Sequence, residues 1–217
     1  MSNDITIESV TEVLGRHVPL YTYKPPAYQT EMLSSLSALW VEHHASVLDI
    51  GGGSGIMAEA IAKFLPAGTV TTVDIVDRFL PNLSIQSMTY DGSQLPFVND
   101  TFDAATINNV VHHIPIAERH NIFKEIRRVV NGPLYIKDHL STGTISNAQL
   151  ALLDLMGNVP FGGMTKAKYL SANEWGAIAQ ASGYTIGQQL SGTYRRGVPA
   201  AVFPNSLEVS YRFDPAN

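Results

Sequence analysis

Cysteine is missing from all 217 residues. Disulfides, thiolate metal sites and a cysteine nucleophile are therefore excluded. Lys- or Arg-rich runs are missing too. Arg127-Arg128 and Arg195-Arg196 are isolated pairs, and the net charge is −5 with a pI near 5.7. That balance leaves no electrostatic footprint for a nucleic acid. No apolar stretch approaches the roughly 18 residues of a spanning helix. No basic segment followed by an apolar core opens the sequence, so a cytoplasmic protein is expected. Internal repeats and low-complexity tracts are also absent.

The composition that remains, 45% hydrophobic and 15% charged, suits one compact domain with a real core. Residues 1–45 read as helical with a break. Ile7, Val10, Val13 and Leu14 fall at helical spacing, and Gln29–Trp40 places Met32, Leu33, Leu36, Leu39 and Trp40 on one face. Between them, Tyr21–Tyr28 holds paired prolines and is not expected to form regular helix. His43 and His44 read as surface residues at a helix end.

An alternation of strand and helix follows. Strands are expected over Ser46–Ile50, Thr69–Asp74, Ile85–Tyr90, Phe102–Asn108 and Leu134–Asp138, with helices over Gly55–Leu65 and Pro115–Val130. Such a rhythm predicts a parallel sheet covered on both faces. Beyond Ser141, a helix over Ile145–Met156 leads to a glycine-rich loop, Gly157–Gly163. A capping box at Ser171–Glu174 then opens a helix stopped by Gly183. Tyr184–Leu190 reads as a strand, Gly192–Asn205 as irregular, and Leu207–Phe213 as a half-buried strand completing a terminal hairpin.

The most informative stretch is Val47–Ile56. An apolar strand ends in Asp49-Ile50-Gly51-Gly52-Gly53-Ser54-Gly55, and a helix starts at once. The turn offers backbone N–H groups and a positive helix end to an anionic ligand group, and glycine lets the backbone approach it. In open parallel sheets, ligands bind beyond the carboxyl ends of the strands. Asp49, Asp74, Asp91, Asn108–His113 and Asp138-His139 occupy those ends. Asp74, about twenty residues beyond the turn, is placed to accept from ribose hydroxyls. A dinucleotide fingerprint would need a third glycine at position 56, which is Ile, so a nicotinamide-dependent oxidoreductase is the weaker alternative.

The pattern D-x-G-x-G-x-G over residues 49–55, Asp74 after the second strand and Asp91-Gly92 after the third resembles the class I S-adenosylmethionine-dependent methyltransferases. Leu95-Pro96-Phe97 with Thr101-Phe102-Asp103, and Val110-Val111-His112-His113-Ile114, resemble that family as well. The likeness spans roughly residues 30–213 and points to a bacterial small-molecule branch. It implies a doubly wound, mostly parallel α/β sheet of order 3-2-1-4-5-7-6 with the seventh strand antiparallel. One domain over 1–217 is implied, with a helical cap or lid over 1–45 and a helical insertion over 141–183 near the substrate. S-adenosyl-L-methionine would be the cofactor and S-adenosyl-L-homocysteine the product. Asp49 and the turn Gly51, Gly52, Gly53 and Gly55 would serve the methionine end, and Asp74 the ribose. Ile75 would pack on the adenine, Asp91 with Gly92 would take its amino group, and Asn108 would lie near the methionine moiety. Only sixteen residues separate Asp74 from Asp91, so the usual helix between those strands must be short or irregular.

Histidine titrates near neutrality. His113, His112 and His139 are thus candidates for a base where the acceptor must lose a proton, with His113 first because it matches the family's recurring histidine. Tyr21 or Tyr23 could polarise the acceptor or pair with His113. The histidines lack H-x-x-x-H or carboxylate spacing fitting a known site, so no metal is expected. No N/D-P-P-Y motif of amide- and adenine-modifying members occurs. A small-molecule acceptor with an O, N or C nucleophile is left, with no nucleic acid and no membrane span. Phe161, Met164 and Tyr194 could line a lid. A cyclase or binding protein keeping the same donor pocket is the other alternative.

Overall fold

The chain's structure, a computed structural model, describes residues 4–158 and 166–216. Seven strands form one sheet: β1 His44–Ile50, β2 Ala67–Asp74, β3 Gln86–Thr89, β4 Ala104–Asn108, β5 Leu134–His139, β6 Tyr184–Ser191 and β7 Glu208–Pro215. Their order is β3-β2-β1-β4-β5-β7-β6. Pairing is parallel from β3 to β5, and β7 runs antiparallel to both β5 and β6. Helices are α1 Ile7–Gly15, α2 Leu20–Tyr23, α3 Ala27–Leu39, α4 Ile56–Phe64, α5 Ile116–Val129, α6 Thr144–Asn158, α7 Ala172–Ala181 and α8 Gly197–Val202. None is long and apolar enough, among the described residues, to cross a membrane.

Successive strand residues point to opposite faces, and that alternation builds two cores. Val47, Val70, Ala104 and Tyr135 pack beneath α1, α3 and α4 through Val10, Leu14, Leu33, Leu36, Ile61 and Phe64. Leu48, Val73, Ala105, Ile107 and Ile136 pack with Phe123, Ile126 and Trp175 of α5 and α7. The stretch expected as a cap over residues 1–45 thus contributes part of the main core. Each fully buried Leu, Ile or Phe contributes about 1.5–3 kcal/mol of transfer free energy. The predicted capping box at Ser171 is formed, with the hydroxyl and carboxylate exchanging backbone bonds, and Gly183 ends that segment at φ +75°.

Several expectations change. The prolines interrupt only Lys24–Pro26: α2 forms a single turn before them, and α3 starts immediately after. Residue 44 is buried, not a surface histidine. It opens β1, and its Nε2 lies 2.9 Å from the Tyr135 hydroxyl. The fourth strand starts at Ala104, because Phe102 instead bridges Val130. β7 is buried along most of its length because it lies between β5 and β6, and the exposed strand is β6. Gly192–Asn205 contains α8. α6 runs through Gly157 and Asn158, while the remaining loop residues 159–163, including Phe161, and Met164 lie outside the described residues.

No helix forms between Asp74 and Gln86. The connection folds back over the start of α4, where Leu80 N–H donates to the Ser54 carbonyl (3.0 Å) and Ser84 Oγ donates to Glu59 (2.6 Å).

Candidate active site

The tips of β1, β2 and β4 meet around one buried carboxylate. Asp49 pairs in register with Thr72 on one side and Thr106 on the other. Both hydroxyls donate to it, at 2.9 and 2.6 Å, and Asn108 Nδ2 adds a longer contact of 3.4 Å. Burial pushes Asp49 above the usual carboxylate range, and the two threonine bonds oppose that shift. Asp49 therefore ties three strand ends together beneath the glycine turn.

The turn lies directly on this row. Gly51 and Gly52 N–H both donate to the Val73 carbonyl, at 2.8 and 3.1 Å. A Cβ at position 52 would sit 1.8 Å from Thr72 Oγ1, so any larger residue would lift the turn off the sheet. Gly53 differs: at φ +57° a Cβ would meet nothing within 4 Å, and open space lies before the turn. Gly55 caps α4 in the left-handed region, and Ile56, where a dinucleotide turn would have its third glycine, is buried as the first helical residue.

Asp74 is buried at the end of β2 and holds the turn from the other side. Its Oδ2 accepts the Gly53 N–H at 2.7 Å, and its Oδ1 accepts the Val76 N–H at 3.0 Å. A carboxylate offers about four lone-pair sites, so acceptor capacity remains. Ile75 is 51% exposed despite its apolar side chain. It neighbours Gly92, whose Cβ would fall 3.2 Å from Ile75 Cγ2. Asp91 is exposed and accepts from Ser93 N–H and Oγ (2.9 and 2.7 Å), which lowers its pKa. The Tyr90 N–H donates to the Asp74 carbonyl at 3.1 Å, so the β2 and β3 tips are adjacent.

A cavity of about 140 Å³ opens beside the turn, lined by residues including Asp49, Gly51, Gly52, Asn108, Tyr28 and Met57. Asn108 Oδ1 is buried there without a hydrogen-bond partner among the described residues. A larger cavity, about 350 Å³ between Asp4–Val13 and Lys63-Phe64, lies away from the strand tips and gathers none of the predicted residues.

On the other side of the sheet switch, the predicted histidines converge. His112 lies in a 3-10 turn, Val111–His113, and His139 at the end of β5. His112 Nδ1 makes a short contact with Asp138 Oδ1, while Asp138 Oδ2 accepts the Val111 N–H at 3.0 Å. Burial opposes the charge on His112, but Asp138 outweighs it and raises the imidazole pKa; the same contact lowers that of Asp138. His113 Nδ1 donates to the Lys166 carbonyl at 2.9 Å, and burial with the nearby His112 lowers its pKa. The His112 ring lies 4.1 Å from that of His113 and 4.9 Å from that of His139.

Tyr21 does not join them. Its hydroxyl accepts from Gln29 Nε2 at 3.0 Å, and Tyr23 is solvent-exposed. The tyrosine at the cavity is Tyr28, whose hydroxyl donates to Asn109 Oδ1 at 2.7 Å. Its ring packs edge-on against Tyr194 and lies 5.2 Å from Lys137 Nζ. Sequence reasoning also missed Asp154, Tyr169 and a buried ionic group in which Glu208 makes short contacts with Lys137 and Arg195. The one available signal was Lys137-Asp138-His139, three polar residues ending a strand otherwise built of core residues.

The sheet order with its antiparallel seventh strand, together with the glycine turn between two buried aspartates, defines the fold of the class I S-adenosylmethionine-dependent methyltransferases. Residues 48–133 match the family model for a methyltransferase domain. No curated protein matches the sequence. Among solved structures, a chain from the complex containing the Haloferax volcanii Trm112 methyltransferase activator superposes with TM-score 0.69 at 14% identity, covering 100% of both chains. Magnesium protoporphyrin IX methyltransferase from Synechocystis PCC 6803 with bound SAH gives 0.60 at 16%, covering 88% of this chain and 84% of that one. The [4+2]-cyclase SpnF gives 0.62 at 15%, covering 87% and 82%. At these identities the likeness establishes the fold alone.

Proposed function

We propose that the chain transfers a methyl group from S-adenosyl-L-methionine to an O, N or C nucleophile of a small molecule. The observation that carries this reading is the glycine turn, bound to the buried Asp74 through Gly53 N–H and opening through Gly51, Gly52, Asp49 and Asn108 onto a cavity, with the Ile75/Gly92 pair next along the strand tips. The free space before Gly53 admits a ligand backbone, and the unpartnered Asn108 Oδ1 suits an ammonium group. Asp74 would take the ribose hydroxyls through its remaining lone pairs. Ile75, apolar and exposed, would lie against the adenine, with Asp91 accepting from the amino group.

The donor, once bound, supplies a methyl on a sulfonium that is already a good leaving group. The protein's task is then orientation, which can be worth roughly 7–11 kcal/mol when the reacting atoms are held in near-attack geometry. His113 would take the acceptor's proton where one must be lost. Its Nδ1–H donates to the Lys166 carbonyl, so the proton would be taken at Nε2, 3.7 Å from Asp154 Oδ1. The acidic chain and the lack of a basic run support a small acceptor over a nucleic acid.

Labelled donor incubated with the protein and cell extracts should yield a labelled small-molecule product. His113→Ala should cut that yield by about 10²-fold or more while leaving S-adenosyl-L-homocysteine binding intact. Donor binding with no labelled product from any extract would sink methyl transfer in favour of a cyclase or binding role on the same fold.

A further inference from the structure

Behind the proposed base lies a group of buried polar side chains that methyl transfer does not require. His112, His139 and Asp154 each present a ligand-capable atom, and these atoms all lie within 4.8 Å of one another. They come from the turn after β4, the end of β5 and the C-terminal half of α6. Two ring nitrogens among them, His112 Nε2 and His139 Nδ1, are buried with no hydrogen-bond partner among the described residues. So is the hydroxyl of Tyr169, whose ring packs 5.5 Å from that of His112 and 5.8 Å from that of His139. The two ring nitrogens face carboxylates of Asp154 and Glu208 only at ion-pair distance, 3.4 and 3.5 Å, and the Tyr169 hydroxyl has no partner among the described residues, so this buried polar group is only loosely satisfied by the protein itself.

We propose that His112, His139 and Asp154 bind one divalent transition-metal ion, with Asp138 as the outer carboxylate that orients His112. Metal-bound histidines characteristically donate their other ring N–H to a carboxylate, which fixes the tautomer and frees the second nitrogen. His112 has this arrangement: Nδ1 faces Asp138, and Nε2 lies 3.4 Å from Asp154 Oδ1. Two donors around a tetrahedral ion at about 2.0–2.1 Å are roughly 3.3 Å apart, so this edge is already at the right length. His139 closes the third position by a side-chain adjustment, and its Nδ1 stands 3.5 Å from Glu208 Oε2.

Two imidazoles and one carboxylate favour Zn²⁺, Co²⁺ or Fe²⁺ over Mg²⁺ or Ca²⁺, which prefer all-oxygen sets. Three protein ligands leave at least one position open for water or another oxygen. The inference does not depend on what the β1–β3 tips hold.

The test uses the full chain without a histidine tag, stripped with a chelator and titrated with Co²⁺. A visible d–d absorption band that saturates at about one ion per chain, and that Zn²⁺ abolishes, is expected for this ligand set. Asp154→Ala should weaken binding at least tenfold, and Asp138→Asn by about 10–100-fold. His43→Ala, at an exposed histidine away from the cluster, should leave the band unchanged. Absence of the band in the wild-type chain would overturn the proposal whatever the variants do. So would its full retention in an Asp154→Ala protein of native circular dichroism, or its loss in His43→Ala.

Discussion

The tips of β1–β3 and the tips of β4–β5 lie on the same edge of one sheet, yet they are built on opposite plans. On the first side the backbone does most of the work. Gly51, Gly52 and Gly53 turn their N–H groups onto Val73 and Asp74, and the acidic side chains are anchored by neighbours next to them in register. On the second side the work falls to side chains from distant parts of the chain. Asp138 gathers His112, the Val111 N–H and the His139 N–H, and α6 adds Asp154. A site made of backbone can be reused with any partner beside it, whereas one made of converging side chains is particular to its ligand. On the proposed function, the donor belongs to β1–β3 and the chain's own chemistry to β4–β5.

If the two sides are separable, variants should fall into two groups. The largest effect is expected from Asp138→Ala. It strands a buried imidazole and two backbone N–H groups, and breaking a buried pair of this kind costs about 3–5 kcal/mol. Urea denaturation should show that loss, while any protein that remains folded binds S-adenosyl-L-homocysteine normally. A parallel loss of affinity would mean that the two tips act as one unit.

Asp74→Asn should instead act on ligand affinity. It keeps one acceptor oxygen near the Gly53 and Val76 N–H groups but removes the charge and half of the acceptor capacity. Affinity for S-adenosyl-L-homocysteine should drop about 10–100-fold, or roughly 1.4–2.7 kcal/mol, with a stability loss of about 1–3 kcal/mol from the one N–H left facing the amide. Unchanged affinity would remove Asp74 from the ribose contact.

The smallest effect concerns the brace between the turn after β3 and α5. Glu125 accepts from Arg128 and from the Leu95 N–H, and Arg128 also donates to the Leu95 and Phe97 carbonyls. The hydrogen bond from Arg128 lowers the Glu125 pKa. Because the folded-state value is depressed, this contribution is present above the ordinary glutamate value of about 4.3 and is lost as pH falls through the folded one. Glu125→Gln should cost about 0.2–1 kcal/mol at pH 7, and the gap from wild type should close on acidification. A gap that persisted at pH 2 would show that Glu125 acts through packing and not through charge.

The two sides also differed in how much could be read beforehand. The alternation of strands and helices and the glycine turn are written in short runs whose spacing reflects local geometry, whereas the strand order followed only from the family resemblance. His44 and β7 were misjudged because their burial depends on which element lies next to them in space. Tyr28 was hidden for a similar reason: α2 and α3 meet at Pro25-Pro26, and only that junction decides which tyrosine faces the cavity. Asp154 stood out only as part of a motif resembling a family branch, and nothing in α6 signals that its carboxylate meets two histidines from other elements. Periodicity reports a residue's own helix or strand; convergence of several elements leaves no periodic mark.

The most direct measurement of the account's central claim is a calorimetric titration of the full wild-type chain with S-adenosyl-L-homocysteine, repeated with NADH. Saturable binding of one S-adenosyl-L-homocysteine per chain and no heat from NADH is the predicted result. No binding of S-adenosyl-L-homocysteine to a folded protein, or tighter binding of NADH, would contradict the assignment of the β1–β3 tips to an adenosyl donor.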